Sequence, residues 1–538
     1  MAYKVITVLW LALLPAWLLV GCCRTYVRRL PRFDCLVVSL TVLAGLLLGT
    51  RIFGPSFHGV EYEDAFEYLY AGLLMALDVP ARQVSLNPIC IHGSLESCTA
   101  IATLAHPIGL ATLVSWMARA VGPSNWYVHY ISAISFTCSG VASYAIARSV
   151  GAPRPVAVWA PALLFVTPSF HALRVTSLSE PLSGALVSGV VLLVLVFREG
   201  KEPPRTRILI SLAIAITVAL AITVRRDNLL LCLVIPVAMS FVEVPGSRGR
   251  LFLRAAVPCL VGSLIVLVAP SIVELTIVSN SSQAPFRVEN FLDLLPHFLL
   301  HLLSVYRYGV LPWLVIVGLV FSRRVRVMLP IIVLVTGYGA LFLLFGQSYS
   351  YEVLHEIPFF HFERYIIQIA PLLSVFGAIG IGAVAEGCCL RWPSVAGRGR
   401  YIVVGLLLVV AIPSMMAGMT IRRAYAAEED QTRIGPTAHA CSTLPQNAIV
   451  ITSQPILVGL FCGSGQRAIS FATLGARVAN RRLMDDTALY VLEDGSTAST
   501  ERARYPAAAQ VIDSFTRSIY EEFRSGGRTY RIYRLNWD

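Results

Sequence analysis

The stretch EYEDAFEYLYAGLL, residues 61–74, gathers Glu61, Glu63, Asp64 and Glu67 within seven positions of a chain that is otherwise apolar and basic. A carboxylate can take a proton from a hydroxyl when its position and pKa suit general-base work, and it then needs a partner bearing a leaving group. Cations suited to a leaving anion stand in TVRRDNLL, where Arg225 and Arg226 are adjacent. Their planar forks donate hydrogen bonds in pairs and match phosphate oxygens. Two arginines at a membrane-depth turn, without a compensating excess of acids, are costly unless they meet an anion. Two more segments mix charges: HALRVTSLSEPLSGAL (171–186) with Arg174 and Glu180, and QSYSYEVLHEIPFFHFERYIIQIAPLL (347–373) with Arg364 and Tyr365. Each feature also has a plainer reading. Acids suit the positive end of a helix dipole, arginines and aromatics anchor helices at an interface, and His106 can cap an interfacial helix.

The elements that must position these groups are membrane helices. Of 538 residues, 56% are hydrophobic and 14% charged, against roughly 25% charged in soluble domains. Apolar runs such as 34–50, 125–147, 178–197, 256–279 and 401–420 suffice to cross a hydrocarbon core about 30 Å thick, and about twelve spans are expected. The run at 5–20 reads as a retained helix, because its basic cluster follows it and no small-residue cleavage site is evident.

Charge sets the expected sidedness. The formal net charge is +12. Residues 424–538 hold twelve Arg and twelve acids, so the excess belongs to the membrane part and a nucleic-acid partner has no support. Basic residues cluster at 24–32, 198–207, 248–254, 323–326 and 391–400, the positive-inside pattern of cytoplasmic loops. Segments 51–124, 171–179, 224–228, 280–297, 347–364 and everything after 421 are then outside, provided that 106–121 is a surface-lying or re-entrant helix. Phe66, Leu69, Tyr70, Leu73, Leu74 and Leu77 predict an interfacial helix in the first outer loop. Cys90 with Cys98, and Cys441 with Cys462, are pairs that an oxidising compartment would let form disulfides.

The chain divides into a membrane domain, 1–423, and a small α/β domain, 424–538. The latter alternates AIVITS (448–453), RAISFA (467–472), ALYVLE (488–493) and RTYRIYRL (528–535) with helical stretches such as 502–523. It has no GxGxxG or P-loop, and GSG at 463–465 is a turn signal. Acids without a His or Cys ligand pattern leave a Mg²⁺ or Ca²⁺ site open.

The order of EDAFEYLYAGLL, HPIGLATLVSWMARAVGPSNWYVHYISAISF and ARSVGAPRPVAVWAPALLFVTPSFHALRVTSLSEPLSGALVSG, then VRRDNLL, FERYIIQIAPLL and the α/β tail, resembles the polyprenyl-phosphate-sugar glycosyltransferases of the GT-C superfold. These include protein O-mannosyltransferases and the lipid A aminoarabinose transferase. The resemblance implies a polytopic helical catalytic domain with an extracytoplasmic α/β domain, in a bacterial cytoplasmic membrane. It implies inverting transfer of a sugar from a polyprenyl-phosphate donor to a hydroxyl of a glycan, lipid or protein acceptor on the outer face. One of Glu63 and Asp64 would be the general base; Arg225, Arg226 or Arg364 would hold the donor phosphate; Glu180 would orient acceptor, donor or a metal. Arg174, His106 and Tyr365 complete the candidate substrate-binding set. Glu stands first in the acid pair, where the family commonly has Asp, so position favours Glu63 as base and residue type favours Asp64. The rival reading is a transporter of a lipid-linked or anionic substrate. Against it, the polar residues gather in outer loops rather than at helix midpoints, and no inverted repeat is evident.

Overall fold

The computed structural model describes residues 6–13, 31–49, 63–76, 107–173, 179–198, 204–240, 248–267, 288–321, 325–345, 364–391, 412–420, 423, 430–446, 448–452, 457–458, 467–470, 488–495 and 506–536. The principal helices are α1 (Arg32–Leu48), α2 (Glu63–Ala76), α3 (Gly109–Val121), α4 (Tyr127–Ser149), α5 (Trp159–Val166), α6 (Glu180–Arg198) and α7 (Pro204–Val224). They continue with α8 (Leu230–Ser240), α9 (Arg248–Leu267), α10 (Val288–Leu302), α11 (Leu311–Phe321), α12 (Val325–Phe345), α13 (Ala370–Arg391), α14 (Gly435–Thr443) and α15 (Pro506–Asp513). The chain forms two compact units: Met1–Pro55 with His129–Arg423, and Ser56–Val128 with Ala424–Asp538.

The first unit is a helical bundle. At about 1.5 Å per residue, the 21 residues of α7 reach roughly the thickness of a hydrocarbon core. From Ala213 to Val224 every residue of α7 is buried, as expected of a helix apolar on all sides. It packs against α6 and α9, while α8 lies against α9 and α12, and α13 against α5 and α11. Hydroxyls inside this apolar core are satisfied within their own helices: Thr41, Thr137 and Thr217 each donate to the carbonyl four residues earlier. That removes the cost of an unpaired hydroxyl in a medium without water.

Three described helices are long and apolar enough to span a membrane: Tyr127–Ser149, Pro204–Val224 and Ala370–Gly387. Others, such as Leu311–Phe321 and Glu180–Val196, are apolar but shorter. The expected count of about twelve is therefore not reached among the described residues. Of the run at 5–20, residues 6–13 are helical and 14–20 lie outside the described residues.

The second unit joins α2 and α3 to a sheet with its own helices. The buried side of α2 carries Ala65, Tyr68, Leu69, Ala71 and Met75, together with Glu67. Of the six positions expected to form the apolar face, Leu69 is buried and Tyr70 and Leu73 are half-buried; Leu77 and the side chains of Phe66 and Leu74 lie outside the described residues. The buried side is the one that α3 packs against. Arg119 of α3 donates to the Met75 carbonyl oxygen at 2.9 Å, satisfying one of the carbonyls exposed at the end of α2. With 13 residues, about 20 Å, α3 is shorter than a hydrocarbon core of about 30 Å.

The sheet has the order β2-β1-β3-β5-β4, with β1 (Ile449–Thr452), β2 (Arg467–Ser470), β3 (Leu489–Asp494), β4 (Thr516–Ser525) and β5 (Arg528–Asn536). β1 runs parallel to β2 and β3, and β5 pairs antiparallel with β3 and β4. Ile449, Ile451, Leu489, Val491 and Leu535 pack on Ile512 and Phe515 on one face; Val450, Tyr490, Leu492 and Ile532 pack on Ala440 and Leu444 on the other. All four expected strand runs contain strands. The helical stretch expected at 502–523 is corrected: among its described residues only Pro506–Asp513 is helical, and Thr516 begins a strand. Gly526 and Gly527, at φ 56° and 77°, form the tight turn that folds β4 back along β5. Cys441 is disulfide-bonded. Cys462, its expected partner, and Cys90, Cys98 and the GSG turn lie outside the described residues.

Candidate functional site

Glu180 opens α6 and is 1% exposed. The sequence favours a helix start here: a carboxylate suits the positive end, and Pro181 lacks an N–H that would have no partner in the first turn. One turn on, Gly184 lies so close to the next segment that an added Cβ would come within 3.0 Å of the Ile367 carbonyl oxygen. That approach carries Glu180 to Arg364.

A lone buried carboxylate is costly, and here two guanidiniums share one of its oxygens. Arg225 Nη1 donates to Glu180 Oε1 at 2.6 Å, and Arg364 Nε donates to the same atom at 2.8 Å. Arg225 Nε reaches both Asp227 oxygens at 3.1 Å, and its Nη1 lies 3.4 Å from Ser179 Oγ. Burial acts to lower the Arg225 pKa, but Asp227 and Glu180 outweigh it and raise the pKa, so the guanidinium stays charged. The Tyr365 ring lies 5.0 Å from Arg225 Cζ and 5.7 Å from Arg364 Cζ, within cation–π range of both. Two anions thus face two cations, and Arg226, half-buried on the same 3₁₀ turn, adds a third positive charge. Arg225 Nη2 has no partner among the described residues, and the side chain keeps 15% exposure.

Beneath the arginines runs a chain of buried polar groups. Tyr338 OH donates to Asn228 Oδ1 at 2.5 Å, Asn228 Nδ2 to Ser183 Oγ at 2.9 Å, and Ser183 Oγ to Gln368 Oε1 at 2.9 Å. Gln368 Nε2 then donates to Asp227 Oδ2 at 2.9 Å. Asn228, Ser183 and Gln368 are fully buried, so each must find partners inside the protein. The network joins α6, the turn after α7, α12 and the segment before α13.

Three segments that charge alone placed on one side therefore meet: the start of α6, the end of α7 and the entry to α13. Glu180, Arg225, Arg364 and Tyr365 are brought together, with Arg226 on the adjoining turn. The expectation that the paired arginines lack compensating acids is corrected for Arg225, which Asp227 and Glu180 hold from two directions. Arg174 and His106 lie outside the described residues. Glu63 and Asp64 open α2 in the second unit, and their side chains lie outside the described residues. Sequence reasoning missed Asp227, Asn228, Ser183, Gln368 and Tyr338. The signal available was a set of polar residues within or bordering apolar runs, which need internal partners. Among the described residues, no three His, Cys, Asp or Glu stand together as metal ligands.

Neither protein-family models nor curated proteins give a significant match to the sequence. Solved structures do match the fold. ArnT from Cupriavidus metallidurans in the apo state is similar with a TM-score of 0.58 at 14% identity, over 92% of this chain and 97% of that one. The same protein bound to undecaprenyl phosphate gives 0.57 at 14% identity, with the same coverage. The archaeal oligosaccharyltransferase AglB from Archaeoglobus fulgidus, in complex with an inhibitory peptide and a dolichol-phosphate, gives 0.55 at 11% identity, over 94% of this chain and 74% of that one. AglB has also been crystallised with Zn and sulfate. Similarity over nearly the whole length, together with the apolar helices, makes this chain an integral membrane protein with the fold of ArnT and AglB, the GT-C fold.

Proposed function

We propose that the protein is a membrane glycosyltransferase that moves a sugar from a polyprenyl-phosphate donor to an acceptor hydroxyl on the outer face of a bacterial cytoplasmic membrane. The observation that carries this reading is Arg225. Glu180 and Asp227 hold it, and its Nη2 edge has no partner among the described residues. The fold is one seen with undecaprenyl phosphate in ArnT and with a dolichol-phosphate in AglB.

The chemistry follows from charge. A sugar phosphodiester donor carries one negative charge, and as the bond from the anomeric carbon to the phosphate oxygen breaks, the phosphate gains a second. Donors aimed at that developing charge lower the barrier. Arg225 Nη2 takes this role, with Arg226 and Arg364 adding positive potential beside it. Glu180 holds the two arginines rather than the substrate, and Tyr365 stacks against both. Glu63 or Asp64 takes the acceptor proton as the acceptor oxygen attacks the anomeric carbon opposite the phosphate, which inverts that centre. The acid pair is assigned from the order of motifs. No step is routed through a cation: at Glu180 a Mg²⁺ or Ca²⁺ ion would compete with two guanidiniums for one oxygen.

Residues 1–423, with about twelve spans, form the catalytic domain in this reading, and 424–538 an outer α/β domain. The disulfide at Cys441 fits a non-reducing compartment. Arg174 and His106 complete the substrate-binding set by resemblance, and the acceptor is a glycan, lipid or protein. The test is transfer from a polyprenyl-phosphate sugar in vesicles. Glu63→Gln or Asp64→Asn is expected to lower transfer by about 10²–10⁴-fold while undecaprenyl phosphate still binds. Full activity in both variants removes the base assignment.

A further inference from the structure

We propose that Asp227 is a positioning residue for the lipid phosphate, acting through Arg225. It rests on the reading of Arg225 as the phosphate contact. Arg225 has two edges in use: Nη1 on Glu180 and Nε on Asp227. A guanidinium gripped at one edge can still pivot about that contact; gripped at both, it holds its plane, and Nη2 is presented in one direction. Asp227 supplies the second grip, and its own carboxylate is aimed by the groups below it. Along Tyr338, Asn228, Ser183 and Gln368 each group donates to the next on the way to Asp227, the Ser183 hydroxyl lying nearer Gln368 Oε1, at 2.9 Å, than Asn228 Oδ1, at 3.2 Å. Aligned donors of this kind polarise one another and stabilise the anion at the end of the chain.

Asn228 is anchored further by donating Nδ2 to the Ala221 carbonyl oxygen at 2.7 Å, in the last turn of α7. The rigid end of α7 thus sets Asn228, which sets Ser183 and Gln368, which set Asp227. A pre-oriented donor loses less freedom when the phosphate arrives. Asp227 is 13% exposed, and its oxygens are used by Arg225 and Gln368, so it acts on the ligand only through the arginine.

The test measures binding of undecaprenyl phosphate to the full chain in detergent micelles, alongside the apparent Tm of each variant. Arg225→Ala is expected to weaken binding about 10–100-fold, the range for a charge-assisted contact. Asp227→Asn keeps the volume and removes the charge, and is expected to weaken binding about tenfold. Asp227→Glu is expected to regain most of that loss. In the double variant, Arg225→Ala with Asp227→Asn, binding is expected to be no weaker than in Arg225→Ala alone, since Asp227 then has no arginine to hold. A general structural role would instead make the two losses multiply. Gln368→Leu is a second probe that leaves Asp227 in place, expected to weaken binding about threefold. Wild-type affinity in both Asp227→Asn and Gln368→Leu, or multiplying losses in the double variant, overturns the positioning role alone. Wild-type affinity in Arg225→Ala overturns the phosphate assignment on which it rests.

Discussion

Asp34 in the first turn of α1 and Glu180 in the first turn of α6 are both buried carboxylates that hold arginine, and the arginines are treated differently. Asp34 accepts Arg154 Nε at 3.1 and 3.3 Å and Tyr144 OH at 2.6 Å. Arg154 is 42% exposed, so water screens the pair and solvates what Asp34 leaves over. At Glu180 the two guanidiniums are themselves only 15% and 10% exposed. One arrangement satisfies an acid and ties α1 to the helices that follow α4. The other sequesters cations as well as anions, which costs desolvation on both sides. Packing alone does not require that expense, and it is what an anion-binding site needs.

The contrast breaks most sharply under Glu180→Ala. Two buried guanidiniums lose their shared partner, and a loss of about 3–5 kcal/mol of stability is expected, read as a large fall in apparent Tm. Asp34→Ala is expected to cost about 1–3 kcal/mol, mainly the buried Tyr144 hydroxyl left without its acceptor, while undecaprenyl phosphate binding stays at the wild-type level. An equal loss in the two variants, or lost binding in Asp34→Ala, would erase the distinction. The smallest effect is expected from Gly184→Ala. Its Cβ would press on the Ile367 and Gln368 carbonyl oxygens, shifting Arg364 and Gln368 by a few tenths of an ångström, for about 1 kcal/mol and a modest loss of binding. Unchanged binding and Tm there would mean that the approach of α6 to that segment is looser than its geometry implies.

Much of the fold was legible because its signals are local. Hydropathy marked α1, α4 and α6, the acid and proline at 180–181 marked the start of α6, and apolar β-rich runs marked β1, β2, β3 and β5. The strand at 516–525 was read as helix because Tyr520, Glu521, Glu522 and Phe523 suit either period; a two-glycine turn and pairing with β5 decided it. Which side of α2 is covered by protein was not read from the sequence, since it depends on the neighbour, here α3.

The candidate site was half legible. Glu180, Arg225, Arg364 and Tyr365 were singled out by residue type and by the side of the membrane assigned to their segments. Their pairing was not, because the partners lie 45 and 184 residues apart in the chain. Asp227, Gln368 and Asn228 were passed over for the same reason: a polar residue at an apolar run declares that it needs a partner, not which one. The sequence by itself determined a basic, apolar chain with membrane-forming helices and charged segments between them in a fixed order, because hydropathy and charge are sums over neighbouring residues. Only the tertiary structure decided that Glu180 shares one oxygen between two arginines and that Asp227 holds the second edge of one of them. Those contacts exist only when α6, α7, α12 and the entry to α13 are packed together.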